Sequence, residues 1–224
     1  MWTENSNGNN QPTDYKYRSV TVNLSDKTIH IEEKNCETID EFLGGIGRLF
    51  KVLANYDVSN AFDSSAPLVM ELGCFSGTNV MTGLRTFFGG YSPLKSTRKG
   101  APSAMWSAGS GKFGTKIAGT GIDEIIFLGK SDVPLTLVIQ SDEVGGLPNL
   151  SLVSADKLTG KDSHEKIMSL ADEYEDAHFA VIAPSGENYE SNRMASIVLS
   201  TENQLKSREC KPRFCGRGGF GVDR

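Results

Sequence analysis

The sequence is poor in cysteine and histidine, the residue types that most often hold metals or cross-link small proteins. Four cysteines and three histidines occur in 224 residues. The cysteines are too few and too scattered for a disulfide scaffold, and they are Cys36, Cys74, Cys210 and Cys215. Neither their spacing nor the dispersed histidines matches a zinc site. An iron–sulfur cluster held by this chain alone needs about four well-placed thiolates, so none is expected.

Long apolar runs and a basic excess are missing as well. No window approaches the ~20 apolar residues that cross a bilayer, and the polar segment from Met1 to Asp14 lacks the pattern of a secretory signal. We therefore expect no membrane association and a cytoplasmic location. The net charge of −5 argues against a nucleic-acid partner. The segment from Gln204 to Arg224, however, has a charge balance of +4, which suits a small anionic ligand.

Strand patterns outnumber helix patterns, which predicts an α+β fold dominated by sheet. Residues 1–15 are predicted to be a disordered polar tail, and residues 16–224 one domain. The predicted strands are Tyr17–Leu24, Thr28–Glu32, Leu68–Leu72, Leu84–Phe88, Ile122–Leu128, Leu135–Ile139, Phe179–Ile182 and Ala195–Leu199. The predicted helices are Ile39–Leu53 with a capping box at Thr38–Glu41, Lys112–Ala118, and Ser163–Tyr174.

Glycines are grouped in the first predicted helix and in two later segments, and each group has two possible interpretations. Gly44, Gly45 and Gly47 fit either close packing on a sheet or approach to a ligand. Residues 109–114 and 216–221 match G-x-G-x-x-G but lack the strand–helix frame of a dinucleotide site. We expect both segments to be loops whose bare backbone N–H groups, near basic side chains, bind phosphate oxygens. Ordinary turn glycines are the alternative interpretation.

Five segments, taken in order, are similar to one enzyme family. They are Phe42–Leu49; Gly77–Thr78 with Thr82–Arg85 and Ser92–Leu94; Gly111–Gly114 with Ala118–Gly119 and Ile122–Lys130; Ala183–Asn188; and Arg213–Gly221. Their order and spacing resemble the N-terminal domain of the tungsten-containing aldehyde ferredoxin oxidoreductases, from about Tyr17 to Gly221. The resemblance covers that domain alone.

The resemblance implies a fold of two packed sheets with a few short helices, which forms the base under a tungsten (or molybdenum) bis-pterin cofactor. In the full-length enzymes, later helical domains supply the cysteines of a 4Fe-4S cluster and the substrate pocket. The family also has at least one further strand after the Arg-Gly-Gly element. The resemblance therefore implies a separate partner subunit that carries the cluster, or a longer polypeptide, with ferredoxin as an indirect partner.

Site residues carry over from the family by position. Arg85 corresponds to an arginine between pterin and cluster, whereas Arg213 and Phe214 correspond to a pterin-contacting arginine and a magnesium-bridging carbonyl. Residues 107–110 stand where the family has a magnesium-ligating Asn, and no Asn is present, so no metal ligand and no catalytic residue is assigned. The expected cofactor-binding residues are Arg85, Ser107, Ser110, Gly111, Lys112, Arg213, Phe214, Arg217 and Gly218.

Three functions follow as alternatives. The first is the cofactor base of an aldehyde:ferredoxin oxidoreductase-type enzyme, which is not competent alone and which oxidises an aldehyde to a carboxylate. The second is a non-catalytic accessory or partner-binding relative that has lost the metal site. The third is an enzyme of other chemistry that uses the glycine segments for another anionic substrate. The sequence specifies neither the aldehyde nor the metal.

Overall fold

The computed structural model describes residues 16–34, 42–81, 83–142, 144, 146–189, 191 and 195–211, and the backbone of 213–220. The predicted tail, residues 1–15, and the predicted capping box at Thr38–Glu41 lie outside the described residues. The strands are β1 (Tyr17–Asn23), β2 (Thr28–Lys34), β3 (Leu68–Leu72), β4 (Arg85–Ser96), β5 (Pro102–Ser110), β6 (Glu124–Leu128), β7 (Leu135–Gln140), β8 (Asn149–Ser154), β9 (Ala180–Ile182), β10 (Ala195–Leu199) and β11 (Arg213–Phe220). The helices are α1 (Gly45–Leu53), α2 (Lys112–Gly119), α3 (Ser163–Ala171), α4 (Pro184–Glu187) and α5 (Glu202–Ser207).

The strands form two larger sheets and one ribbon. The larger sheet has six strands in the order β2-β1-β6-β3-β4-β5, in which β1 and β6 run parallel and every other pair is antiparallel. The second sheet has the order β11-β10-β9, and β7 and β8 pair as an antiparallel ribbon. The predicted α+β, β-rich fold with a few short helices is confirmed.

Alternation along the strands places these elements in four layers. Val20, Met70 and Ile125 on one face of the six-stranded sheet pack in the same core as Ile197 and Leu199 of β10. The other face of the second sheet, which carries Val181 and Val198, packs against Ile167 and Leu170 of α3. The second face of the six-stranded sheet is covered by α1. The order of layers is therefore helix, large sheet, small sheet with ribbon, helix.

Helix α1 sits unusually close to the sheet that it covers. Leu49, Val52 and Leu53 bury their side chains against Val69 and Ile126 of the sheet. This apolar stripe recurs with a spacing of three to four residues, which explains why the segment is helical. Burial of these three side chains contributes roughly 1.5–3 kcal/mol each.

The start of α1 differs from the prediction of one helix over Ile39–Leu53. Leu43, Gly44 and Gly45 have φ values of 54°, 68° and 58°, so the helix begins at Gly45 and a continuous helix is wrong. Gly44 forms a β-bridge with Gly73, and a Cβ on Gly44 would lie 2.7 Å from the Leu72 carbonyl oxygen. The glycines therefore permit close packing, the first of the two predicted interpretations.

Candidate functional site

The predicted site residues begin where β4 starts and β5 ends. In the antiparallel ladder Arg85 lies opposite Ser110, and Phe88 lies opposite Ser107. Because cross-strand partners share a face and neighbours alternate, Arg85 and Ser110 lie on one face of the sheet and Ser107 lies on the other. Arg85 is exposed, and no side chain within the described residues forms an ion pair with it.

The turn from β5 into α2 places a helix N-terminus next to the start of β4. Gly111 is the N-cap residue of α2, has a φ of 129°, and has no side chain that could accept a hydrogen bond from the first N–H groups of the helix. The first N–H groups of an α-helix have no partner within the helix and carry a partial positive charge. The helix N-terminus therefore offers backbone donors at the end of the sheet where β4 begins, which is a suitable environment for an oxyanion. The Arg85 side chain lies on the sheet face that α1 covers, whereas α2 packs against Thr86 and Phe88 on the other face.

Close packing of α2 on β4 explains the last glycine of the first glycine segment. A Cβ on Gly114 would lie 2.5 Å from the hydroxyl oxygen of Thr86, which is fully buried. That hydroxyl has no hydrogen-bond partner among the described residues. Gly114 therefore lets α2 approach the strand that carries Arg85, so its primary role is in packing.

Lys112 is not a free cation. Its ammonium nitrogen lies 3.1 Å from a carboxylate oxygen of Glu202, at the start of α5. Hydrogen bonds from Lys206 and Lys112 lower the pKa of Glu202 to about 2. Glu202 was not among the predicted site residues, because its Lys206 partner four residues later signals only a surface pair on a helix. Much of the positive charge expected from Lys112 is thus already compensated.

The second glycine segment lies in a strand. β11 pairs with β10, with Arg213 opposite Leu199 and Phe214 opposite Val198, and its backbone lies next to β4 and β5. The register shifts between Cys215 and Phe220, so Arg217 and Gly218 occupy an irregular stretch of this strand. The prediction of two glycine loops is wrong, because Gly109 and Ser110 also belong to a strand, β5.

The structure therefore brings together the segments that carry Arg85, Ser110, Gly111 and Lys112. The start of β4 pairs with the end of β5, which continues directly into α2, and β11 also contacts β4 and β5. Ser107 lies on the opposite sheet face from Arg85 and Ser110. The side chains of Arg213, Phe214 and Arg217 lie outside what the structure describes.

An apolar surface lies next to this place. Phe75, Val80 and Met81 are about half to almost fully exposed, with 87% of Met81 accessible. Their segment borders the site, because Ser76 donates a hydrogen bond to the Arg85 carbonyl, and Gly77 packs against Ala118 of α2. Clustered exposed apolar side chains of this size are typical of a surface that contacts other protein.

Among the described residues, no group of three His, Cys, Asp or Glu side chains is placed to hold a metal ion. Within the same residues, none of the helices is long and apolar enough to cross a membrane.

A family model now gives this arrangement its context. The model described as "Aldehyde ferredoxin oxidoreductase, N-terminal domain" matches residues 19–222. The chain belongs to this family. The family resemblance seen in the sequence is thereby confirmed.

Curated relatives of the aldehyde ferredoxin oxidoreductase family agree with this assignment. The tungsten-containing aldehyde ferredoxin oxidoreductases of Pyrococcus abyssi and Pyrococcus horikoshii are each 31% identical over 93% of this chain and 31% of their own length. The enzyme of that name from Pyrococcus furiosus is 27% identical over 92% of the chain. The chain thus spans about a third of the length of the curated relatives that it matches.

A solved structure has the same fold. It is described as "Active site complex BamBC of Benzoyl Coenzyme A reductase in complex with 1,5 Dienoyl-CoA", and it superposes with a TM-score of 0.75 over 92% of this chain. The matched region is 29% of that chain and only 23% identical in sequence. The likeness therefore concerns the fold of this aldehyde ferredoxin oxidoreductase N-terminal domain.

Proposed function

We propose that this chain is the cofactor-base part of an aldehyde ferredoxin oxidoreductase-type enzyme and that it contacts a tungsten or molybdenum bis-pterin cofactor. The observation that carries the proposal is the pairing of Arg85 with Ser110 at the end of β5, directly before the N-terminus of α2. Family membership supports the same assignment. The chain spans only about a third of its relatives, so we infer that it is not competent alone.

The described residues fit an anionic group such as a pterin phosphate. Arg85 provides an exposed guanidinium, which binds phosphate oxygens in a bidentate manner. The backbone N–H groups at the start of α2 donate to oxyanions without a side chain in the way, because Gly111 has no Cβ. Lys112 is engaged with Glu202, so we assign the principal cationic role to Arg85. Arg213, Phe214, Arg217 and Gly218 would contact the group from β11.

When bound, the cofactor would supply the redox chemistry that oxidises an aldehyde to a carboxylate. In this proposal the chain's own residues bind and orient it. Arg85 favours the anionic form of the pterin electrostatically, and the α2 N-terminus fixes the phosphate position. Both contributions weaken with added salt at this exposed face unless other protein covers it.

The remaining parts of the machinery would come from elsewhere. A partner subunit or a further part of a longer polypeptide would supply the 4Fe-4S cluster and the substrate pocket, and ferredoxin would accept the electrons. The exposed apolar side chains Phe75, Val80 and Met81 border the site, and we assign them to the contact with that protein. Covering them would also exclude water from Arg85.

The decisive experiment purifies the native complex through a tag on this chain. Tungsten, molybdenum and pterin are then quantified by elemental analysis and by the fluorescence of oxidised pterin. We expect stoichiometric metal and pterin, and a loss of at least tenfold in both in Arg85→Ala. Arg98→Ala is the matched control, since Arg98 is exposed in the turn between β4 and β5. A complex without metal and pterin would contradict the proposal.

A non-catalytic accessory role is the second candidate. The ion pair between Lys112 and Glu202 favours it, because one of the expected cations is already neutralised. So does the absence of an Asn in residues 107–110. In that case the native complex would assemble without metal, and Arg85→Ala would leave its biological activity intact. Introduction of a negative charge into the apolar surface by Met81→Asp would instead abolish assembly.

A further inference from the structure

A row of polar side chains crosses the apolar interior of the six-stranded sheet, away from the proposed cofactor site. Ser19 of β1 lies opposite Glu124 of β6, and Glu124 lies opposite Glu71 of β3. The register therefore places the three side chains side by side on the face that α1 covers. Both glutamates are completely buried, and Ser19 is 2% exposed. A buried carboxyl group is costly unless it is paired or protonated.

Glu124 receives most of the donors in this cluster. The Arg48 Nε donates to its Oε2 at 2.9 Å, the Lys34 Nζ donates to its Oε1 at 3.3 Å, and the Ser19 hydroxyl donates to Oε1. Burial alone would raise the pKa of Glu124. The hydrogen bonds from Glu71 and Ser19, with the charges of Arg48 and Lys34, instead lower it to about 2. Glu124 is therefore ionised.

Glu71 has far fewer donors. The Tyr17 hydroxyl lies 2.9 and 2.8 Å from its two oxygens, and the nearest cation, the Arg48 Nε, is 4.0 Å away. The same hydroxyl lies 3.3 Å from Glu124 Oε2. A tyrosine hydroxyl carries a single proton, so it cannot make a full-strength hydrogen bond to both carboxyl groups at once. The hydrogen-bond pattern is satisfied when Glu71 carries a proton of its own.

The described residues of the surrounding elements add no further hydrogen-bond donor to Glu71. Strand β1 contributes Tyr17 and Ser19, β2 contributes Lys34 with Glu32 beside it, and β4 places Phe87 opposite Glu71. On the helix side the charged group is Arg48, and the Tyr56 hydroxyl lies within the field of Glu124. Burial and the neighbouring Glu124 raise the pKa of Glu71 well above its usual range, and burial and both carboxyl groups raise the pKa of Tyr17.

We propose that Glu71 and Glu124 form a proton-binding site, in which a carboxylic acid and a carboxylate on adjacent strands share one proton within reach of Tyr17. When this proton is lost, two adjacent buried carboxylates face each other with Arg48 and Lys34 as their cations. The site is independent of the proposed cofactor function, because none of its residues belongs to the cofactor-binding set.

Loss of the proton acts on the junction between α1 and β3. Glu71 is two residues before Gly73, whose bridge with Gly44 holds the start of α1 to the end of β3. Arg48, the cation nearest both carboxyl groups, belongs to α1. Repulsion between the two carboxylates therefore acts directly on this junction and on the segment that follows Gly73. The proton therefore stabilises the packing of α1 on the six-stranded sheet.

Infrared difference spectroscopy of the full chain, labelled with 13C-glutamate, tests whether the proton is there. At neutral pH we expect the C=O stretching band of a protonated carboxyl group, and we expect its isotope shift to identify glutamate. The band should disappear in Glu71→Gln. It should persist in Glu175→Gln, which removes an exposed carboxylate. If the wild-type chain shows no such band at neutral pH, the proposal is overturned, whether or not any variant folds.

The pH dependence of stability tests the same proton thermodynamically. A raised pKa in the folded chain means that the folded state holds one proton more than the unfolded state above about pH 4.5. The folded-to-unfolded ratio should therefore fall tenfold per pH unit until Glu71 ionises in the folded chain. Glu71→Gln should lose this component, and Glu175→Gln should retain it. Equal slopes in Glu71→Gln and the wild-type chain would contradict a shared proton.

Hydrogen exchange tests the coupling to the α1–β3 junction. As Glu71 ionises, protection factors for Leu68–Leu72 and for α1 should fall in the wild-type chain but stay constant in Glu71→Gln. Protection in β10 should not change in either protein, because β10 lies in the other sheet. A uniform loss of protection across both sheets would show global unfolding instead of a local device.

Discussion

Gly89 of β4 shows how closely α1 packs against the six-stranded sheet. A Cβ on Gly89 would lie 2.3 Å from a methyl carbon of Leu49, which is completely buried. The Cγ and the other methyl carbon of Leu49 would lie at 2.7 Å, so the buried leucine would have to shift into its packed surroundings. We therefore expect Gly89→Ala to lower the free energy of unfolding by about 1–3 kcal/mol. Urea denaturation measures the change.

Gly119→Ala is the matched control for this substitution. Gly119 is the last residue of α2, and a Cβ there meets nothing within 4 Å. Since alanine favours the helix over glycine, this variant should be neutral or gain up to about 1 kcal/mol. Equal destabilisation by Gly89→Ala and Gly119→Ala would contradict the close packing of α1 on the sheet.

Residues of this kind could be predicted from the sequence only in part. The glycines before Arg48 signalled close packing, which the structure confirms at Gly44. The buried glutamates were missed, although each stands inside an apolar strand run, in Leu68–Leu72 and in Ile122–Leu128. A charged residue within such a run is a recognisable signal. The partners of Glu124 could not be predicted, because they come from four elements and lie up to 107 positions away from it along the chain.

At the scale of elements, the buried ammonium group of one lysine links α3 to the second sheet. Lys166 of α3 is 3% exposed, donates to the Ile182 carbonyl at 2.8 Å and pairs with Glu187 of α4. Removing it leaves the partly buried carboxylate of Glu187 without this cation. We expect Lys166→Ala to destabilise the chain by about 3–5 kcal/mol, measured by urea denaturation. Lys157→Ala, which breaks the exposed pair with Glu173, should cost less than about 1 kcal/mol.

Most elements with a strong local pattern were predicted, although β8 was missed despite the alternation of leucine and polar residues in Asn149–Ser154. The β1–β2 hairpin, β3 and β10 follow from alternation within their own residues. β5 and β11 were missed because their segments are rich in Gly and Ser, which are poor strand formers. They become strands because β4 and β10 supply the ladder partners. The same error turned two strand segments into predicted loops at the candidate site.

At the scale of the whole molecule, the large sheet lies between α1 and the second sheet, and this layering buries Glu71 and Glu124 among apolar side chains. We therefore expect these two carboxyl groups to influence the pH dependence of stability. No local sequence pattern specifies this layering, since it requires β10, far along the chain, to pack on β1 and β6. The family resemblance supplied the expectation of two packed sheets that the residue patterns alone did not.

The acid side of the stability profile should therefore depend on Glu124. Its folded-state pKa of about 2 lies below the ordinary value of 4.5, so the folded state binds a proton less readily than the unfolded state. Stability from Glu124 is fully present above about pH 4.5. It should be lost by roughly 1.4 kcal/mol per pH unit as the pH falls towards 2. Equilibrium unfolding between pH 2 and 6, followed by circular dichroism, measures this slope.

Glu202 serves as a comparison that shows whether the acid slope comes from a buried or from an exposed carboxyl group. Its pKa is also lowered to about 2, but by lysines at the surface of the molecule. Because salt screens exposed charges over about 3 Å at 1 M, its contribution should disappear in 1 M NaCl. The contribution of Glu124 should survive, because Arg48 and Ser19 contact it inside the sheet. The difference in acid slope between Glu202→Gln and the wild-type chain should therefore vanish in high salt. If the acid slope of the wild-type chain also vanished in 1 M NaCl, the slope would come from surface carboxyl groups and not from Glu124.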